Sequence, residues 1–158
     1  MNPVTVDIGA NDLLNVVFGC GFDATCIQSA LPGAISTMAA NLDTILTALQ
    51  NAEPSAEVLV MNVPDPFAAY APLSASSIQV FGAFDSALDA VVAAHQDRLV
   101  DAFTSGLELA QNDLPSWCED IVAVACGPVL DVHPTAEGYQ DMAELFFSAA
   151  GYTSLQPH

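Results

Sequence analysis

The segment Glu57-Val-Leu-Val-Met-Asn-Val63 constrains this chain more than any other. Its apolar run is nearly continuous, which is how a strand reads when a parallel sheet covers it on both faces. The sequence around it supplies further elements of the same kind. Val4 to Ile8 is a short β-branched run ending at Gly9, as a strand entering a tight turn should look. Residues 9–34 read as loop-rich, because Gly19, Gly21, Pro32 and Gly33 interrupt any regular pattern. Ile35, Met38, Leu42, Ile45, Leu46 and Leu49 then fall on one helical face, and Glu53-Pro54 stops that helix.

Beyond Val63, Pro64, Pro66 and Pro72 predict an extended loop. Phe81, Phe84, Leu88, Val91 and Val92 mark a second helix, leading into a short third strand at roughly Arg98 to Ala102. Residues 104–130 read as irregular, apart from a turn of helix expected near Leu107. A last helix starts at about Thr135, its N-cap, with Tyr139, Met142, Leu145, Phe146 and Ala149 expected inside and Gly151 as its stop. Strands alternating with helices predict an α/β fold, a three-layer α/β/α sandwich with a parallel sheet. Neither repeats nor a linker divide residues 1–158, so a single domain is expected.

The 158 residues are 53% hydrophobic, enough for one core, and no apolar run looks long enough to cross a bilayer. Nineteen acidic residues stand against Arg98 alone, a formal charge of −18. Such a surface repels phosphate backbones and anionic lipid heads, so neither nucleic acid nor stable membrane insertion is expected. The cysteines fall in two close pairs, Cys20 with Cys26 and Cys118 with Cys126. Neither spacing suits a zinc knuckle and no histidine adjoins either pair, so no metal is expected. Two short-loop disulfides account for them better than four buried thiols, and point to a secreted or extracellular setting. The first residues show no basic, apolar leader of the secretory type.

Two short segments carry the candidate chemistry. Gly9-Ala-Asn-Asp12 follows the first strand, where reactive groups of open α/β sheets collect. Glycine lets a ligand come close to the backbone, and the Asn11 amide can donate to a developing oxyanion. Taken alone, the segment also reads as an ordinary turn or cap. Asp131-Val-His-Pro-Thr135 places His133 just before the last helix, with a carboxylate two residues earlier. That suits a general base oriented by an acid, or equally a capping histidine. His95 continues an apolar helical stripe and reads as packed; His158 is terminal.

The two segments together, flanking a βαβα region, resemble the SGNH (GDSL-type) esterases and lipases in order and spacing, from Val4 to about Tyr152. The resemblance implies a five-strand parallel sheet, of which this chain would supply the last three strands. It implies that Gly9 and Asn11 belong to the oxyanion hole, that His133 is the base, and that Asp131 is its acidic partner. It also implies that the loop from Asp65 to Tyr70, with Phe67 and Tyr70, borders an acyl pocket. The substrate would be a small-molecule or lipid ester, with no cofactor.

Two departures qualify the match. The family more commonly places the aspartate three residues before the histidine, where this chain has Leu130. No serine lies in a Gly-Asp-Ser or Gly-x-Ser-x-Gly setting, and only three residues precede Val4, so the nucleophile is unassigned and low activity is expected of this chain. Ser74, Ser76 and Ser77 read as helix caps. The alternative is a non-catalytic, degenerate domain of the same fold; a flavodoxin-like phosphate loop fits Gly9-Ala-Asn-Asp12 poorly. Without upstream strands, Val4–Ile8 would be a sheet edge blunted only by Pro3 and Asp7, expected to pair in a homodimer or aggregate.

Overall fold

A computed structural model describes residues 3–69, 73–106 and 132–152 of the chain. Tyr70, Cys118, Cys126 and Asp131 lie outside the described residues. The expected α/β architecture is present. Strands β1 (Pro3–Asp7), β2 (Glu57–Met61) and β3 (Arg98–Val100) form a parallel sheet in the order β1-β2-β3. Its register pairs Val4 with Val58, Val6 with Val60 and Met61 with Val100.

Helices α1 (Ala10–Gly19), α2 (Ala24–Ala52) and α3 (Ser74–His95) cover one face, and α4 (Ala136–Ala149) the other. The two-residue period of a strand sorts β2 between them. Val58 and Val60 meet Leu42, Leu46, Phe84 and Leu88. Leu59 and Met61 meet Met142, Leu145 and Phe146 of α4. Val58 through Met61 are all buried, as the unbroken apolar run requires. At about 1.5–3 kcal/mol for each large apolar side chain taken out of water, this strand anchors both cores.

Several expectations are corrected. Residues 9–34 hold helix α1 and the first third of α2 rather than loop, with Pro32 inside α2. Pro32 removes one helical hydrogen bond and disfavours its position, but Leu13, Val17 and Ile27 are buried on these segments, and Leu31 and Ile35 pack against the same core. Burial of these residues outweighs local propensity, while Gly19 and Gly21 serve the tight turn joining the two helices. That turn is closed by the Cys20–Cys26 disulfide, and the Asp23 carboxylate caps α2 by accepting from the Cys26 N–H.

Tyr139, expected inside, is 55% exposed, because α4 turns Met142, Leu145, Phe146 and Ala149 inward instead. Residues 102–106 form a helical turn that begins at Ala102, where the third strand was expected to end, and replaces the start of the stretch expected to be irregular; Leu107 lies outside the described residues. Helix α3 is long and apolar enough to cross a bilayer by length and composition, contrary to the sequence expectation, although Phe81, Phe84, Leu88 and Val92 are spent on the protein core. Strand β1 is the edge of the described sheet, yet its apolar Val4 and Val6 face inward. Thr5 and Asp7 occupy its exposed side, so the expected apolar exposure is confined to Ile8 just beyond it. The Thr135 hydroxyl caps α4 by accepting from the Gly138 N–H, and Gly151 follows in the left-handed region, as expected.

Arg98, the chain's single cation apart from histidine, ties three elements together. Its guanidinium meets the Glu57 carboxylate at 2.8 Å and donates to the Ala149 carbonyl, joining β3 to β2 and to the end of α4. Both side chains keep some solvent, which limits the pair's value. We expect Arg98→Gln to cost about 1 kcal/mol in urea unfolding. Amide exchange should accelerate at the C-terminal turn of α4 and stay unchanged in α2. Uniform acceleration through both helices would contradict this role.

Candidate active site

At the carboxyl ends of β1 and β2 the chain encloses a cleft of about 660 Å³. Three segments build it. The first is Asp7 to Asp12 with Leu14, Asn15 and Phe18 of α1; the second is Val63, Pro64 and Pro66 after β2; the third is Val132 to Pro134 with Tyr139 and Met142 of α4. Phe81 of α3 closes the back. The volume falls in the range of small-molecule sites, and its position is the one where open α/β sheets place their ligands. Asn11 and His133, more than a hundred residues apart in sequence, therefore line one cavity.

Gly9 is the pivot of the first wall. It stands at φ 104°, the left-handed region, as the N-cap of α1. A Cβ there would come within 3.2 Å of the Phe84 ring, so a side chain meets backbone strain and a tight contact. The turn at Gly9 sends the chain from strand to helix within one residue. It leaves the first-turn N–H groups of α1, with their partial positive charge, at the cleft. Asn11, Asn15 and Phe18 follow at helical spacing along the wall. Burial raises the Asp7 carboxyl above its ordinary range.

Behind the floor lies a polar network that the sequence motifs do not point to. Asn62, buried at the end of β2, accepts through its side-chain oxygen from the Ala102 and Phe103 amides, at 2.8 and 2.9 Å. Its amide group donates to Asp101 at 3.2 Å and to Asp89 at 3.5 Å. Asp85 of α3 accepts from the Val63 N–H at 2.9 Å, and Asp65 accepts from the Phe67 N–H at 2.8 Å. Burial pushes Asp85 up to about 8, with Asp89, Asp101 and Asp65 adding repulsion against the pull of the Val63 amide. Burial likewise pushes Asp65 to about 6, opposed by the neighbouring Ser77 side chain and the Phe67 amide. Burial also raises Asp89. For Asp101 burial acts in the same direction, but bonds from Thr104 and Asn62 prevail and lower it. The sequence held one clue: Asp85 interrupts an apolar stripe of Phe81, Phe84 and Leu88, where a carboxyl can only be buried.

Phe67 does not line the cleft. The Asp65 turn directs its ring inward, to 1% exposure, edge-on to both Phe22 and Phe81. It lines a second, mostly apolar cavity of about 80 Å³ with Val17, Phe22, Ile27 and Val80. Phe81 forms a wall of both cavities. Ser76 and Ser77 border this second cavity, but they are not the caps expected of them: their hydroxyls donate back to the Leu73 and Ser74 carbonyls, and the N-cap position of α3 falls on Leu73 with no side-chain bond. His95 is packed as expected, bonded to Asp43 at 2.8 Å and facing the Gln50 side chain. Among the described residues no cluster of metal-ligating side chains is present.

The model of the GDSL-like lipase/acylhydrolase family matches residues 1–140. The chain belongs to that family. It is thus of the general esterase or acylhydrolase kind, and the α/β fold with its parallel sheet agrees with the family reading. No curated protein and no solved structure matches significantly.

Asp85 sets a pH dependence for this GDSL-like chain. Its folded value near 8 lies far above the ordinary 3.8, so the folded form keeps a proton that the unfolded chain has released. Stability therefore falls as pH rises from about 4 to about 8 and levels off above. Asp85→Asn keeps the acceptor for the Val63 amide and removes the ionisation. Its thermal midpoint relative to the unaltered chain should rise steadily between pH 4 and pH 8. A constant difference across that interval would refute the assignment.

Proposed function

We propose that the chain is a carboxylic-ester hydrolase domain working through a serine acyl-enzyme, with its reacting centre in the larger cleft. The observation that supports this reading most is the meeting of Asn11 and His133 in one cavity at the strand ends. In the proposal His133 removes the proton from the attacking hydroxyl and returns it to the leaving alcohol. As the carbonyl becomes tetrahedral, its oxygen gains negative charge. The Asn11 side-chain amide and the backbone at Gly9 donate to that oxygen, with the first turn of α1 adding its partial positive charge. Asp131, two residues before His133, is proposed to orient the imidazole. Water then hydrolyses the acyl-enzyme by the same proton shuttle, and no metal or organic cofactor takes part.

The smaller cavity behind Phe81 suits the acyl tail. It is about half the size of an apolar cavity that admits benzene, about 150 Å³. A chain of a few carbons is the proposed fit, with Phe67 at its base. The Cys20–Cys26 bond is compatible with an extracellular setting, which the proposal adopts. The nucleophilic serine is left unassigned, since the cleft lining among the described residues carries none. That same observation favours a second reading, a binding domain of this family that turns nothing over.

Ester hydrolysis separates the two readings. An oxyanion hole acting without its nucleophile still supplies roughly 10³-fold over water. We expect the chain to hydrolyse p-nitrophenyl butyrate slowly but above the buffer rate, and the decanoate less well. Asn11→Ala should remove roughly 10²-fold of any such gain, and His133→Ala most of it. Turnover that ignores both substitutions, or none at all, would favour the binding domain. A full enzymatic rate abolished by His133→Ala would instead place the nucleophile within these 158 residues.

A further inference from the structure

The charges around the cleft have one sign. Asp7 and Asp12 line it, one at the end of β1 and the other in the first turn of α1. The chain contains no lysine and a single arginine. Arg98 sits at the amino end of β3, at the opposite end of the sheet from the cleft, and is held there by Glu57 and the Ala149 carbonyl. No other stretch of this chain can bring a lysine or arginine to the cleft, because none has one to bring. Nineteen acidic residues against one guanidinium give the chain as a whole a negative field.

The lining adds a second chemistry. Phe18 is 41% exposed and Tyr139 55% exposed, so both rings are open to a ligand in the cleft. Both line this cleft together with Asp7 and Asp12. Aromatic rings beside carboxylates attract organic ammonium groups, because ring faces and carboxylates are both electron-rich and a quaternary ammonium is cheap to desolvate. The acyl side of the substrate has its own apolar cavity behind Phe81. The charged and aromatic part of the cleft is thus left for the alcohol.

We propose that this cleft selects esters whose alcohol carries a positive charge, a quaternary ammonium above all, and rejects esters of anionic alcohols, with Asp12, Asp7, Phe18 and Tyr139 as the discriminating residues. The inference rests on the ester-hydrolase reading of the same cleft. It also accounts for product release: the carboxylic acid leaves as an anion, which the same field expels.

Three acetates of similar size test it: acetylcholine, its neutral isostere 3,3-dimethylbutyl acetate, and the anionic 3-sulfopropyl acetate. Proton and amide NMR on the whole chain reads two things at once, release of acetate and shifts at the Asn11, Asn15 and Phe18 amides. We expect acetylcholine to bind about tenfold tighter than the isostere at low salt. The sulfonate should bind weakest, and the spread should collapse in 1 M salt, where charges are screened beyond about 3 Å. Asp12→Asn should remove most of the preference, while Glu144→Gln, an equal charge change on exposed α4, should not. Selective binding without acetate release supports the charge selection and counts against the hydrolase reading. Equal binding of the three acetates, no binding by any, or equal effects of the two substitutions would overturn the proposal.

Discussion

Burying β2 on both faces is the constraint from which the rest of the molecule follows. Once Val58 to Met61 leave water, their amides and carbonyls need strands on either side, and their side chains need a helical layer above and another below. The crossovers through α2 and α3 answer the first demand. The second is met by α2 and α3 over the valines and α4 over Leu59 and Met61. The strand cannot stay apolar past Met61, because parallel strands end where chain must turn outward. Asn62 makes that transition without leaving buried amides unpaired, since its side chain caps the backbone beyond β3.

The polar residues at this boundary explain why the cleft has a fixed floor. Val63 is held by Asp85 from α3, and Phe67 by Asp65 from its own loop, so both ends of the Val63–Phe67 segment are pinned by carboxyl oxygens. Two carboxyls with so little water are expensive as anions, and burial keeps Asp85 protonated at neutral pH. A chain carrying 19 acidic residues has thus neutralised one of them by position rather than by pairing, having only Arg98 to offer elsewhere.

Much of this was legible in the sequence, and the rest was hidden for identifiable reasons. Periodicity exposed β2, the inward stripe of α3 and most of α4, because in those elements burial and local pattern agree. Tyr139 misled, since one more aromatic at helical spacing looks like core until α4 is seen to rest on Met142 and Phe146. Helix α1 and the start of α2 were obscured by Gly19, Gly21, Pro32 and Gly33, whose local message is a loop. What overrides them is contact between Leu13, Val17 and Met38, a long-range fact that no window of sequence contains. For the site, Asn11 and His133 were readable as ends of elements. Phe67 was readable as a pocket residue but not as part of the smaller cavity, because the Asp65 turn decides which way its ring points, and Asn62 and Asp85 were overlooked because a polar residue within an apolar run looks like a defect.

The Cys20–Cys26 bridge carries a last implication. Phe18 stands just before it and belongs to the larger cleft; Phe22 stands inside it and belongs to the smaller cavity, and the two rings touch edge to face. Phe22 also occupies the left-handed region, where a bulky residue sits only if its surroundings compel it. One covalent staple thus couples the walls of both chambers. The two chambers share a boundary built from one turn, with one aromatic wall of each held within five residues of the other.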